Sequence, residues 1–113
     1  MIVIEFTYFF QFLVAHMLCD FVLQHEAMSM GKHRKHDIHK NRSPLFPPWY
    51  YWLSAHSLIH GGAVFLITNN LWLGIAETLL HGTIDFLKCE RKINLNQDQF
   101  LHIICKVAYC FYI

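Results

Sequence analysis

The sequence predicts an all-α fold, a four-helix transmembrane bundle with a polar His/Asp cluster in its interior, and three observations predict it. The 113 residues are 55% hydrophobic and only 15% charged, with a mean hydropathy of +0.29. A domain this small has a high surface-to-volume ratio, so that much apolar side chain must face something other than water. The apolar residues fall into four stretches divided by polar ones. Each stretch carries a pair of chemistry-bearing residues four apart: His16 with Asp20, His56 with His60, His81 with Asp85, and Asp98 with His102. A spacing of four puts both members on one face of a helix.

The length allows one core, so residues 1–113 are expected to form a single membrane-embedded domain. The first stretch, about 2–24, is long enough for a helix to cross a hydrocarbon layer of about 30 Å. Its interruptions His16, Asp20 and Gln24 share one stripe. Glu5, the lack of a basic leading region and the lack of a small-residue cleavage site ahead of Asp20 mark a retained membrane segment rather than a signal peptide.

Residues 25–48 turn to Lys, Arg, His, Asn and Ser and end in Ser43-Pro44 and Pro47-Pro48. No apolar period survives there, which predicts a solvated basic loop that stops where a helix begins. His33, His36 and His39 are read as part of that solvated loop rather than as a metal cluster. The second helix, about 49–68, is the stretch around which the chain is organised. It opens on Trp49, Tyr50, Tyr51 and Trp52, where an interfacial aromatic belt would sit, and Gly61-Gly62 would permit close helix contact. Asn69-Asn70 predicts a tight turn, so the third helix, about 71–88, runs antiparallel to the second. Asn94 or Asn96 would cap the last helix, about 97–113. Lys88 is expected to reach outward to headgroups. Cys19, Cys89, Cys105 and Cys110 form no C-x-x-C and read as small hydrophobes.

Charge distribution sets the orientation. Of the nine Lys and Arg, Lys32, Arg34, Lys35, Lys40 and Arg42 lie between the first two apolar stretches, and Lys88, Arg91 and Lys92 between the last two. In a four-span arrangement both groups fall on one side, which the positive-inside rule makes cytoplasmic. The expected partners are the lipid bilayer, anionic headgroups at the basic loops and a second copy of the chain, with no nucleic acid.

Depth then brings the pairs together. At 1.5 Å per residue, His16 and Asp20 lie about 12 and 6 Å from the cytoplasmic end, His56 and His60 about 10 and 16 Å, His81 and Asp85 about 10 and 4 Å, Asp98 and His102 about 1 and 7 Å. Buried imidazoles and carboxylates at one level suit a divalent transition metal, zinc first, with manganese or iron as alternatives. The candidate ligands are His16, Asp20, His56, His60, His81, Asp85 and His102, enough for one ion or two. Asp20 and Asp85 are the candidate catalytic carboxylates, taking a proton from a metal-activated water. Glu77 continues the His81/Asp85 face as a further carboxylate, and Gln24 and Gln99 are expected beside the cluster or at the interface. A single pair of this kind is commonly a structural hydrogen bond; four at matching depth argue for a shared site.

The runs Ala15-His16-Met-Leu-Cys-Asp20-Phe-Val-Leu-Gln24, His56-Ser-Leu-Ile-His60-Gly61, His81-Gly-Thr-Ile-Asp85-Phe-Leu-Lys88 and Asp98-Gln99-Phe-Leu-His102 resemble, in this order, a family of small bacterial and phage membrane proteins known as domain of unknown function (DUF) 3307. That resemblance implies a multi-span protein of a bacterial inner or host cell membrane with a shared His/Asp/Gln pattern, and no reaction. The pattern is also similar to that of small membrane proteins labelled metal-dependent hydrolases. A membrane metal-dependent hydrolase is therefore the first expectation. An ion or proton carrier, a non-catalytic membrane interaction protein and a soluble all-α metallohydrolase are the alternatives.

Overall fold

The computed structural model describes residues 2–40 and 43–113. Arg42, counted above among the basic residues of the first loop, lies outside the described residues. The fold is all-helical, with no strand among the described residues. α1 spans Ile2–Met17 and runs on into a π-helical turn, Leu18–Val22; α2 is Glu26–Gly31, followed by a 3-10 turn at Asp37–His39; α3 is Trp49–Thr68, α4 Leu71–Cys89 and α5 Leu95–Tyr109.

Local chemistry sets these boundaries. Pro48 precedes α3 in an extended conformation, as the missing N–H and fixed φ of proline allow at a helix start. Asn69 ends α3 in the left-handed region, φ 53°, with its N–H returned to the Phe65 carbonyl at 2.7 Å. The next residue, Asn70, caps α4 by accepting from the N–H groups of Trp72 and Leu73. Two consecutive asparagines thus close one helix and open the next, as their side chains favour. Asn94 caps α5 in a reciprocal box with Gln97, which gives α5 a start two residues before the expected 97 and an end at Tyr109 rather than 113.

α3 and α4 form an antiparallel hairpin, α1 packs on α3 and α5, and α5 packs on α4, closing a four-helix ring. The tightest approach is at Gly61 and Gly74. A Cβ on Gly61 would lie 1.8 Å from Thr78 Oγ1 and 2.6 Å from the Gly74 carbonyl oxygen, whereas one on Gly62 meets nothing within 4 Å. Only the first of the two glycines serves the contact expected of both. Gly61→Ala is expected to cost about 1–3 kcal/mol by overpacking, with Gly62→Ala near neutral. Denaturant unfolding of the two variants in detergent checks this; equal midpoints would show that the hairpin tolerates a wider spacing.

Many ionisable groups are buried and many large apolar side chains are exposed. Phe12, Val64, Leu73 and Tyr109 form an apolar cluster toward the α3–α4 turn. Elsewhere the interior mixes buried Cys19, Met28, Ile84 and Cys89 with a larger ionisable group, His16, Asp20, Lys32, His56, His60, Glu77, His81, Asp85, Asp98, His102 and Lys106, while Ile2, Val3, Phe6, Phe10, Leu66, Trp72, Leu79 and Phe100 are more than 60% exposed. By length and composition, Ile2–Val22 is the one helix among those described that is long and apolar enough to cross a membrane. The other three long helices fall short of that measure for a physical reason. α3 and α4 carry the buried ionisable residues of the interior, and α5 has 15 residues, about 22 Å at 1.5 Å per residue.

Residues 25–48 correct the expectation of a structureless, solvated loop. α2 packs on α3, with Gly31 so close to Trp52 that a Cβ would lie 2.4 Å from its ring. His39 bonds the Gly31 carbonyl at 2.7 Å. Arg34 and Lys35 pair with Glu90 just beyond α4, and Arg34 lies 5.7 Å from the Phe86 ring centroid. Hydrogen bonding from Arg34 holds the Glu90 carboxyl below its ordinary range. The segment closes the end of the bundle where the polar residues gather.

Candidate metal centre

α1 delivers the central carboxylate through its π-helical turn. The Leu23 N–H reaches back five residues to the Leu18 carbonyl at 2.8 Å, and this wider turn carries Asp20 into the bundle, 5% exposed. Single π turns recur where a side chain must be re-aimed at a functional position. Nothing in the sequence marks it.

Three imidazoles surround one oxygen of Asp20. Its Oδ1 lies 3.1 Å from His56 Nε2, 3.0 Å from His60 Nε2 and 3.7 Å from His81 Nε2, and one ligand atom from each of the four residues lies within 4.8 Å of the others. Bonds of about 2.0–2.1 Å in a tetrahedral site imply ligand–ligand edges of about 3.3–3.4 Å. The edges at Asp20 lie on either side of that spacing, the two shorter ones as hydrogen bonds to His56 and His60 and the longer one to His81. His81 is fully buried, and neither of its ring nitrogens has a hydrogen-bond partner among the described residues. An imidazole buried in this way is costly unless something else engages it.

A carboxylate stands behind one of the rings. Glu77 Oε1 lies 3.5 Å from His81 Nδ1, just beyond a hydrogen bond, and 4.0 Å from His60 Nδ1. A carboxylate behind a histidine fixes its tautomer, leaving Nε2 free to ligate. Glu77 is itself anchored by the Lys106 ammonium on Oε1 and by the Tyr109 hydroxyl, which donates to Oε2 at 2.6 Å.

Charge accounting separates the acids. Asp85 receives Lys32 Nζ at 2.6 Å on Oδ2 and Lys88 Nζ at 3.0 Å on Oδ1, so both of its oxygens are engaged by ammonium groups. Glu77 has Lys106. Asp20 has no Lys or Arg within 4.0 Å among the described residues; its other oxygen accepts from Gln99 Nε2 at 2.8 Å. A buried carboxylate with imidazoles on one oxygen and no Lys or Arg beside it is a place where a cation would be stabilised.

Of the seven ligands expected from sequence, Asp20, His56, His60 and His81 meet in this one group. His102 joins two neighbouring groups, one with Glu77 and His81 and one with Asp20 and Asp98. His16 lies beside the cluster, its Nε2 2.9 Å from Gln99 Oε1 and 3.5 Å from Asp20 Oδ2. Asp85 is joined to the cluster through His56 Nε2 at 3.7 Å. Lys88 turns inward to Asp85 and Asp98 instead of outward to headgroups, because two buried acids within reach outweigh solvation of its ammonium. The sequence reading assigned no part to Lys32 or Lys106. Their signal was only their charge, in a loop taken as solvated and in the apolar second half of the last helix. Gln24 donates to the Asp20 carbonyl oxygen at 2.9 Å. The four cysteines are free, Cys19 and Cys89 buried.

No curated protein and no solved structure matches the chain. A family described as "Protein of unknown function (DUF3307)" matches residues 8–113, a span that contains every residue of the cluster just described. The chain belongs to the DUF3307 family.

Proposed function

We propose that the chain is an integral membrane protein that holds a divalent transition metal, zinc first, on Asp20, His56, His60 and His81, and that it uses the metal to hydrolyse a membrane-associated substrate. The convergence of three Nε2 atoms on Asp20 Oδ1 at 3.0–3.7 Å carries this reading. One carboxylate and three imidazoles form a ligand set that zinc, manganese or iron accepts. A metal so held lowers the pKa of a bound water toward neutrality. In the hydrolysis that follows, the water oxygen bonds to the electrophilic centre, the ester bond breaks, and a proton from the water ends on the leaving group.

Membrane embedding is supported by the exposed apolar side chains around buried ionisable ones, by the apolar length of Ile2–Val22 and by a long dimension of 54 Å, which exceeds a bilayer of about 40–45 Å with its headgroups. Lys32 and Lys106, which accompany Asp85 and Glu77, have a structural role. The Glu77, Lys106 and Tyr109 set satisfies its own charges, as polar groups within a helix bundle must.

Elemental analysis of detergent-purified protein tests the proposal. At least one zinc, manganese or iron per chain is expected, lost on His60→Ala, together with chelator-sensitive hydrolysis of an ester panel. Protein free of stoichiometric metal, or recovered in the soluble fraction without detergent, would overturn it.

A further inference from the structure

A second group of buried ligand atoms lies against the first and shares its central residue. Asp20, Asp98 and His102 each offer a ligand atom within 4.8 Å of the others. Asp98 Oδ1 and His102 Nε2 face each other at 3.2 Å, yet neither makes a hydrogen bond among the described residues, and the two residues are 0% and 1% exposed. Gln99 fixes the arrangement from behind, its Nε2 donating to Asp20 Oδ2 at 2.8 Å and to Asp98 Oδ2 at 3.0 Å. A donor and an acceptor so close and so deeply buried would be expected to bond. Two ligands of one cation have no reason to.

The neighbouring alternative, Glu77 with His81 and His102, is more fully engaged. Its carboxylate carries the Lys106 ammonium on one oxygen and the Tyr109 hydroxyl on the other, whereas Asp98 has Lys88 at 3.5 Å from Oδ2 and keeps Oδ1 without a hydrogen bond among the described residues.

We infer that the protein holds a second divalent ion on Asp98 and His102, bridged to the first by the Asp20 carboxylate, and that the pair of ions acts on a phosphate ester. This rests on the metal reading above and extends it. The His81 and His102 rings lie nearly parallel, with centroids 4.2 Å apart. One ring can therefore serve each ion of a two-metal site, in which the ions lie roughly 3.5–4 Å apart. Charge then selects the substrate. Two divalent ions set against Asp20 and Asp98 leave two positive charges uncompensated, which an anionic oxygen ligand neutralises.

The surface nearby has the same preference. Lys88, 3.5 Å from Asp98 Oδ2, also lines an open cavity of ≈ 500 Å³ together with Arg91, Lys92 and Asn94. No carboxylate lines that cavity. In the reaction the water oxygen bonds to phosphorus, the ester P–O bond breaks, the alcohol leaves with one proton from the water, and inorganic phosphate remains. No electrons change hands.

Metal titration of the detergent-purified chain reads the second site directly. Cobalt is expected to load to two ions per chain in the unaltered protein and to one in Asp98→Asn and in His102→Gln. The manganese-loaded protein should give the spin-coupled resonance of an ion pair, and Asp98→Asn the resonance of an isolated ion. Inorganic phosphate should shift the cobalt spectrum of the two-ion form and leave that of Asp98→Asn unchanged. Hydrolysis of p-nitrophenyl phosphate and of phosphatidic acid in mixed micelles should each fall at least tenfold in Asp98→Asn. Their ratio tells a soluble ester from a lipid headgroup.

One ion per chain, lost on His56→Ala and unaffected by Asp98→Asn, would overturn the second site and leave the first intact. Two ions with no response to phosphate would overturn the choice of ester. Absence of any ion would overturn both readings. The stoichiometry of the unaltered chain decides the matter even where a variant fails to fold.

Discussion

Asp20→Asn is expected to strip the protein of metal, weakening binding more than about 100-fold, beyond the 10–100-fold typical of losing a group that only supports a ligand. The carboxamide has nearly the shape of the carboxylate but no charge. Asp20 is the buried acid with no ammonium within 4.0 Å among the described residues, so on the proposed reading it contributes the charge that would draw a cation among His56, His60 and His81. Asp85→Asn is the informative partner. That carboxylate is engaged by Lys32 and Lys88, so its loss should lower stability and leave the metal content unchanged. Metal content after chelator competition separates the two variants. An Asp20→Asn protein that holds as much metal as the unaltered chain would place any ion elsewhere.

Glu77→Ala is expected to be the most destabilising single change, about 3–5 kcal/mol, because it leaves the ammonium of Lys106 buried without its partner. Lys106 is 2% exposed and pairs with Glu77, and Tyr109 would lose its acceptor as well. Adding Lys106→Met removes the stranded charge and should recover most of the loss, as replacing a buried pair by apolar groups commonly does. Denaturant unfolding of the single and double variants reads the coupling. Recovery of stability should not restore metal affinity, which is expected to stay 10–100-fold weaker because His81 Nδ1 loses the oxygen 3.5 Å behind it. Equal stability of the single and double variants would mean that Lys106 finds water or another partner.

Much of the fold was legible in the sequence because helix periodicity is local. Trp49 to Thr68 was bounded by Pro48 and Asn69 through backbone preferences that act within a residue or two, and the expected limits coincide with those of α3. That an asparagine caps the last helix was readable for the same reason, and of the two candidates, Asn94 and Asn96, it is Asn94 that does so. Residues four apart share a face whatever surrounds them, so the four pairs could be recognised before their surroundings were known. The basic loop was misread because hydropathy reports a segment's affinity for water and not the partner that waits for it. Lys32 belongs to the most polar stretch of the chain, yet it is 2% exposed, since Asp85, 53 positions away, supplies the opposite charge.

The sequence by itself determined that the chain is helical, where the long helices lie within a few residues, and which imidazoles and carboxylates turn toward a common interior at one level. Only the tertiary structure decided how those groups divide their work. It set Asp20 at the centre through a π turn, gave Asp85 and Glu77 to lysines, and paired Asp98 with His102 beside them. The physical reason is range. A helical face is set by bonds between residues four apart, whereas the partner of a buried charge is set by distances of a few ångströms between segments remote in the chain.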